Sequence, residues 1–487
     1  MKEMWQLLKA EDAAATRRFF LALILGVTAI RVAGLAFSQA ELFYDEAQYW
    51  AWGQEPAFGY FSKPPLLAWL IGAVTSVCGN SEFCVRLPAP FIHAGTSVFL
   101  FALANRMFGP LVALLAGALF LTMPGTSLSS TLMSTDVPLL FFWSAALYAL
   151  WRHAGQPSLG SGLAAGLAIG LGANAKYAML FLPACFVLMC AVTPQWRSLL
   201  WHKGSLAALA VIACLLAPNL HWVLTHGNVT FSHTASDAGK FDRFPNLAGL
   251  AEFILAQGGI IGPLAFLWYG IFFLALSTHL KDLRYRYLFV LSTPVLIIFE
   301  VLALVSKANG NWAATAFPAL VILVSAFMLE RRAWRSIAAT FAIAGVCLIA
   351  LASYGALAGR ITVQPIAGEL AKLQGWSATA SEIAGIARRA DTDTVVTYGR
   401  ALSASMTYYL RDTGLSVKAF RRPGAPGDYF EMTHPWRADY PGPVLIVKTG
   451  GPPPGISAER LDEGQCFQSR IYQHRRSGAE LCAYRVE

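Results

Sequence analysis

Residues 41–52 read Glu-Leu-Phe-Tyr-Asp-Glu-Ala-Gln-Tyr-Trp-Ala-Trp, and residues 58–69 read Phe-Gly-Tyr-Phe-Ser-Lys-Pro-Pro-Leu-Leu-Ala-Trp. Two acids, Asp45 and Glu46, and a lone cation, Lys63, stand among tyrosines and tryptophans of the kind that settle at lipid headgroup depth. On both sides the chain turns apolar, over Phe19 to Ser38 and Leu87 to Ala104, and similar runs recur at Ile260 to Leu276, Tyr287 to Val305 and Ile337 to Gly355. Each approaches the roughly 20 apolar residues that cross a bilayer. The polar loop therefore lies between membrane spans, where charge is costly and calls for a functional explanation.

Composition agrees with a polytopic α-helical membrane protein. Of 487 residues, 56% are hydrophobic and 13% charged, and a soluble domain would carry about twice that charged share. Mean hydropathy is +0.51. Eleven spans are expected, at about 19–39, 88–105, 111–126, 137–152, 161–174, 177–193, 205–222, 250–278, 287–305, 313–329 and 336–358, with ends uncertain by several residues. The first run is long, contains Arg31 and lacks a small-residue cleavage site, so it reads as a retained span and not a signal peptide.

With the N-terminus cytoplasmic, 14 Lys and Arg fall on that side: Lys2, Lys9, Arg17, Arg18, Arg106, Arg152, Arg197, Lys203, Lys281, Arg284, Arg286, Arg331, Arg332 and Arg335. The other side keeps 6: Lys63, Arg86, Lys176, Lys240, Arg243 and Lys307. That is the bias of the positive-inside rule. The net charge of +9 is scattered between spans in short clusters without interleaved aromatics, which argues against a nucleic-acid partner.

An odd span count places the C-terminal part outside. From about residue 360 the sequence is polar enough to fold in water, so residues 1–359 form a transmembrane domain whose first outer loop, 40–87, carries the chemistry, and 360–487 a small extracytoplasmic α/β domain. A helix is expected around Ser381 to Ala390, and strands at Thr394 to Tyr398, Ser416 to Phe420 and Val444 to Val447. Cys185, Cys190, Cys214 and Cys347 lie inside spans, where a thiol packs as a small apolar group. Cys78 with Cys84, and Cys466 with Cys482, fall on the outer, oxidising side, where each pair can form a disulfide.

Asp45-Glu46 after the first span, Tyr60-Phe-Ser-Lys63-Pro-Pro-Leu, Arg86-Leu-Pro and the late Lys307-Ala-Asn-Gly-Asn-Trp312 resemble the GT-C glycosyltransferases of the protein mannosyltransferase type. More narrowly they resemble the bacterial branch that holds the aminoarabinose transferase and the lipid A galacturonosyltransferases of the RgtA to RgtD kind. The resemblance implies a first outer loop of two interfacial helices over a membrane-level cavity. It also implies a sugar donor carried on polyprenyl phosphate and a lipid A, lipopolysaccharide or other envelope glycan acceptor, used at the outer face of a bacterial inner membrane with the C-terminal domain periplasmic.

That chemistry needs a carboxylate to take the proton of, or orient, the attacking acceptor, and cations for the charge growing on the departing phosphate. Asp45 matches the family's catalytic acid, with Glu46 as its support or a solvated loop acid. Lys63 stands in the family's Lys-Pro-Pro sequence and is the leading phosphate partner. Arg86, Lys176 and Lys307 are lone cations near the outer face, where phosphate binding competes with ordinary headgroup snorkelling. Asp136, in Met133-Ser-Thr-Asp136-Val-Pro-Leu, corresponds to a second acidic position that places donor or acceptor groups, and it also suits a helix cap.

No cofactor is expected to be required. The aminoarabinose branch has a Glu just before Lys-Pro-Pro where this chain has Ser62, which removes one carboxylate ligand for a divalent metal, and His221, His226 and His233 lack a metal-ligand spacing. Glu300, inside the run Leu296 to Leu304, is either paired within the bundle or functional. Three other readings stay open. A transporter or flippase would favour inverted repeats, and none is evident; a non-catalytic scaffold would tolerate loss of Asp45; a protein O-glycosyltransferase would differ in its acceptor.

Overall fold

A computed structural model describes residues 13–230, 244–357, 371–437, 442–451, 456, 464–467, 469 and 480–486. The expected domain boundary at 359/360, and His233, Lys240 and Arg243, lie outside the described residues. The chain divides into two compact units. One comprises residues 1–36, 62–67 and 86–353; the other comprises 37–61, 68–85 and 354–487.

The first unit is a bundle of apolar helices. All eleven expected segments are helical: Ala13–Ala36, Pro88–Phe108, Pro110–Thr122, Asp136–Gly155, Leu159–Ala175, Tyr177–Leu180 running into Phe181–Ala191, Lys203–Thr225, Leu247–Ile261 with Pro263–Leu274, Leu283–Val290 with Thr293–Val305, Gly310–Ala316 running into Phe317–Glu330, and Trp334–Ser353. Among the described residues six helices are long and apolar enough to cross a membrane, or seven if one bent pair counts as a single span. The helix over Gly310–Glu330 is the centre of the bundle, 89% of its span buried, whereas Lys203–Thr225 is 11% buried and turns its apolar side chains outward. Such an outward apolar face is stable only in lipid. Cys185 and Cys190 are buried as expected, but Cys214, on that outward helix, is exposed and Cys347 is half-buried.

One expected span is corrected. The run 250–278 is not a single rod: Leu247–Ile261 and Pro263–Leu274 meet at 113°. Gly262 sits at φ 99°, where a side chain would be strained, and Pro263 opens the next helix without an N–H to give to the previous turn. Apolarity runs on through this corner, so hydropathy alone hides it.

The second unit holds most of the first loop, without residues 62–67 and 86–87, together with the C-terminal region. Among the described residues its sheet has six strands, β1 (Thr394–Thr397), β2 (Ser416–Phe420), β3 (Pro435–Trp436), β4 (Val444–Thr449), β5 (Gln465–Phe467) and β6 (Leu481–Val486), in the order β3-β2-β1-β4-β6-β5. The first four are parallel and β6 and β5 antiparallel. Leu445 and Val447 on one sheet face pack with Ile383 and Ala387 of the helix Trp376–Arg389 and Leu402 and Met406 of the helix Arg400–Tyr409, while Val444 and Ile446 pack with Trp436 on the other. Alternate residues of β4 thus serve two cores, as a strand covered on both faces requires. The expected helix and three strands are all present; β3, β5, β6 and the helix Arg400–Tyr409 were not anticipated. Both expected disulfides are formed, Cys78–Cys84 and Cys466–Cys482, the latter joining directly opposed residues of β5 and β6.

Candidate active site

The first loop is built on two helices, Tyr44–Gln54 and Leu66–Cys78. They touch backbone to backbone within the second unit: a Cβ on Gly53 would lie 2.8 Å from the Ala68 carbonyl oxygen and 2.9 Å from the Gly72 nitrogen. Trp52 stacks on Tyr60 at 4.7 Å, and the Tyr60 hydroxyl donates to the Trp52 carbonyl at 2.8 Å. Burial pushes the Tyr60 hydroxyl up to about 12, so it stays a neutral donor. The aromatic residues therefore form a loop core in addition to any belt at the lipid surface.

Asp45 lies in the first turn of the helix Tyr44–Gln54, a position that favours a negative charge. Its Oδ1 is 2.8 Å from Nη2 of Arg400, with about a third of each side chain exposed. The contact is ionic without a hydrogen bond, because the N–H groups are not aimed at the oxygen; Oδ1 is buried and accepts none. Glu46 has a different post: buried at 2% exposure, it accepts the backbone N–H of Phe43 at 3.0 Å and so caps its own helix.

In the first unit a second cluster assembles around Asp136, at the start of the helix Asp136–Gly155. Lys176 Nζ is 2.7 Å from its Oδ1, and Asn311 Nδ2 donates to Oδ2 at 2.8 Å. Two residues singled out separately in the sequence, Asp136 and Lys176, are thus one ion pair. The late Lys307-to-Trp312 segment reaches it through Asn311, while Lys307 itself is exposed. Arg86, at the end of the short helix Glu82–Arg86, is 1% exposed, and Lys63 is half-buried.

His221 and His226 are exposed, and His226 stacks on Trp222 at 4.1 Å. Among the described residues the one trio of close metal-ligating types is Cys466, Glu480 and Cys482, and its two sulfurs are already bonded to each other. Glu300 is half-buried in the helix Thr293–Val305.

Residues 62–222 match the dolichyl-phosphate-mannose-protein mannosyltransferase family. The lipid A galacturonosyltransferase RgtD of Rhizobium johnstonii is 34% identical over 88% of this chain and 90% of its own length. The chain belongs to the GT-C membrane glycosyltransferases, in the RgtA-to-RgtD branch. Another member of that branch, the lipopolysaccharide core galacturonosyltransferase RgtA of the same organism, is 28% identical over 39% of this chain and 38% of its own. For the GT-C fold, the crystal structure of ArnT from Cupriavidus metallidurans bound to undecaprenyl phosphate superposes with a TM-score of 0.64 at 16% identity, covering 96% of this chain and 97% of ArnT. This GT-C protein is accordingly a multi-pass membrane glycosyltransferase.

Arg400 is the site residue that sequence reasoning missed. It is 355 positions from Asp45 in a different part of the chain, and its only local signal is its place just after Tyr398-Gly399 at the end of an expected strand.

Proposed function

We propose that this enzyme transfers a galacturonosyl group from a polyprenyl phosphate to lipid A or the lipopolysaccharide core, at the outer face of the bacterial inner membrane. The observation that carries the reading is the near end-to-end match to RgtD. An acceptor hydroxyl attacks the anomeric carbon, forming the new C–O bond as the bond from that carbon to the phosphate oxygen breaks. Asp45 takes the hydroxyl proton, and the polyprenyl phosphate leaves with the bonding pair. The partial exposure of Asp45 supports this assignment: Oδ1 is buried against Arg400, and the exposed third of the side chain, away from that oxygen, is what an acceptor hydroxyl can reach.

Lys63 and Arg86 take the growing phosphate charge. Lys176 is already neutralised by Asp136, so it orders that acid first and serves a donor phosphate second. Asp136, with both oxygens occupied, positions substrate instead of taking the proton. The C-terminal domain is periplasmic, where both disulfides form and persist.

The test is mass spectrometry of envelope lipids from cells with and without the protein, together with transfer by the purified enzyme from a synthetic polyprenyl-phosphate galacturonic acid. Loss of one hexuronic acid from lipid A or core, restored by the gene, is the expected result. A protein O-glycosyltransferase is the second reading, favoured by the family matched over 62–222; it is upheld instead if the labelled product partitions with protein.

A further inference from the structure

We infer that Arg400, supplied by the C-terminal domain, is a positioning residue for Asp45, and that this domain is thereby part of the catalytic machinery. The inference rests on the reading of Asp45 as the base. Strand order supplies the first argument. From β1 the chain moves outward on one side through β2 and β3, then returns to the other side of β1 with β4. The carboxyl end of β1 is therefore a topological switch point, where doubly wound sheets place their functional groups. There the chain runs Tyr398-Gly399 into the helix Arg400–Tyr409, and Arg400 is the first residue of that helix.

Packing supplies the second. The helices Tyr44–Gln54 and Arg400–Tyr409 lie against each other: Trp50 meets Tyr408 edge-on at 5.0 Å, Arg411 lies over the Trp50 ring at 5.9 Å, and the Leu42 N–H donates to the Tyr409 hydroxyl at 2.8 Å. Glu41 accepts the backbone N–H groups of Trp376 and Ser377 at 2.5 and 3.1 Å. These contacts fix the interface without help from Arg400. An ion pair exposed by about a third adds little to stability once solvent screens it. Holding the interface together is therefore not what Arg400 does.

What it does is local to Asp45. Its guanidinium lies over the Tyr44 ring at 5.0 Å and against the Asp45 carboxylate at 2.8 Å. Burial pulls its charge state down, but Asp45, Tyr44 and Tyr49 around it prevail and hold the cation above its ordinary value. A permanent cation at this distance fixes the place of the carboxylate: it holds Oδ1, which is buried, and the exposed third of the side chain is turned away from that contact, where the acceptor can reach it.

The test uses the full-length enzyme with Arg400→Gln, Arg400→Lys and Arg400→Ala, each alone and Arg400→Gln also with Asp45→Asn. Turnover in Arg400→Gln should fall roughly 10²-fold, the scale of a small misplacement of a catalytic group, while the donor KM stays within about threefold of wild type. Arg400→Lys should retain part of the rate, and added guanidinium should partly restore Arg400→Ala. In the Asp45→Asn background Arg400→Gln should cost little more. Tyr409→Phe, which loosens the same interface away from Asp45, should lower thermal stability and leave turnover near wild type.

Wild-type turnover in Arg400→Gln beside a dead Asp45→Asn would overturn the positioning role and leave the base standing. A further large loss from Arg400→Gln in the Asp45→Asn background would overturn it too, because Arg400 would then act on substrate directly. Full activity in Asp45→Asn defeats both readings. Should Arg400→Gln fail to fold, Arg400→Lys carries the same test, with a slower kcat at unchanged donor KM as the supporting outcome and wild-type kcat as the opposing one.

Discussion

Lys176 Nζ sits 2.7 Å from Asp136 Oδ1, with 18% and 10% of the two side chains exposed, so the pair is nearly dry. Removing one partner of such a pair strands the other charge, at a cost of about 3–5 kcal/mol when burial is complete. Asp136→Ala is thus expected to lower stability by about 3 kcal/mol, and Lys176→Met in the same chain to recover most of that loss. Thermal unfolding in detergent measures both. If Asp136 also positions substrate, the stable double variant remains slow in transfer. A single variant as stable as wild type would show that the pair holds nothing together.

The two disulfides account for four of the eight cysteines, leaving Cys185, Cys190, Cys214 and Cys347 as thiols. Protein denatured without reductant should take four maleimide tags, and eight after reduction. Cys78–Cys84 closes a loop of six positions, for which chain entropy allows about 2 kcal/mol. Cys78→Ser with Cys84→Ser should therefore lower stability modestly and spare the fold. Eight tags without reductant would place these cysteines in a reducing compartment.

Topology can be tested at the corner between Ile261 and Pro263. Legs of 15 and 12 residues reach only about 22 and 18 Å at about 1.5 Å per residue, each short of the roughly 30 Å hydrocarbon core. The pair must nonetheless carry the chain across if the C-terminal domain is outside. Alkaline phosphatase fused after Arg400 should be active and after Leu200 inactive. An inactive Arg400 fusion would mean that the two legs turn back together, and would remove the domain from the outer face.

Transfer should persist after chelation. Ser62 stands where the aminoarabinose branch has a carboxylate ligand, and a polyprenyl phosphate assisted by Lys63 is a workable leaving group without a metal. Incubation with a chelator followed by the transfer assay is sufficient. Complete loss, restored by one particular divalent ion, would show that other side chains build a metal site.

Much of the fold was open to reading because its causes are local. Apolar runs gave the eleven helical segments, and β-branched runs such as Thr394-Val-Val-Thr397 gave the central strands. The corner at Gly262-Pro263 was visible as a dipeptide, but hydropathy carries no direction. β3, at Pro435–Trp436, has two residues and exists only because β2 is there to pair with it. Among the candidate functional residues, Asp45, Asp136 and Lys176 stood out as rare charges near spans. The three-residue spacing of Glu46 from Phe43 is a local capping signal, whereas nothing local announced that Asp136 and Lys176 meet or that Asp45 pairs with Arg400. Those relations are made by packing between segments far apart in the chain.

The central claim is that the Asp45 carboxylate takes the acceptor's proton. Asp45→Asn keeps the side chain's size while removing its basicity and its charge. The measurement is transfer from a synthetic polyprenyl-phosphate galacturonic acid by purified, detergent-solubilised enzyme, with monodispersity and thermal stability checked in parallel. A well-folded Asp45→Asn should lose roughly 10²–10⁴-fold in turnover. Turnover near wild type in that folded variant would contradict the account.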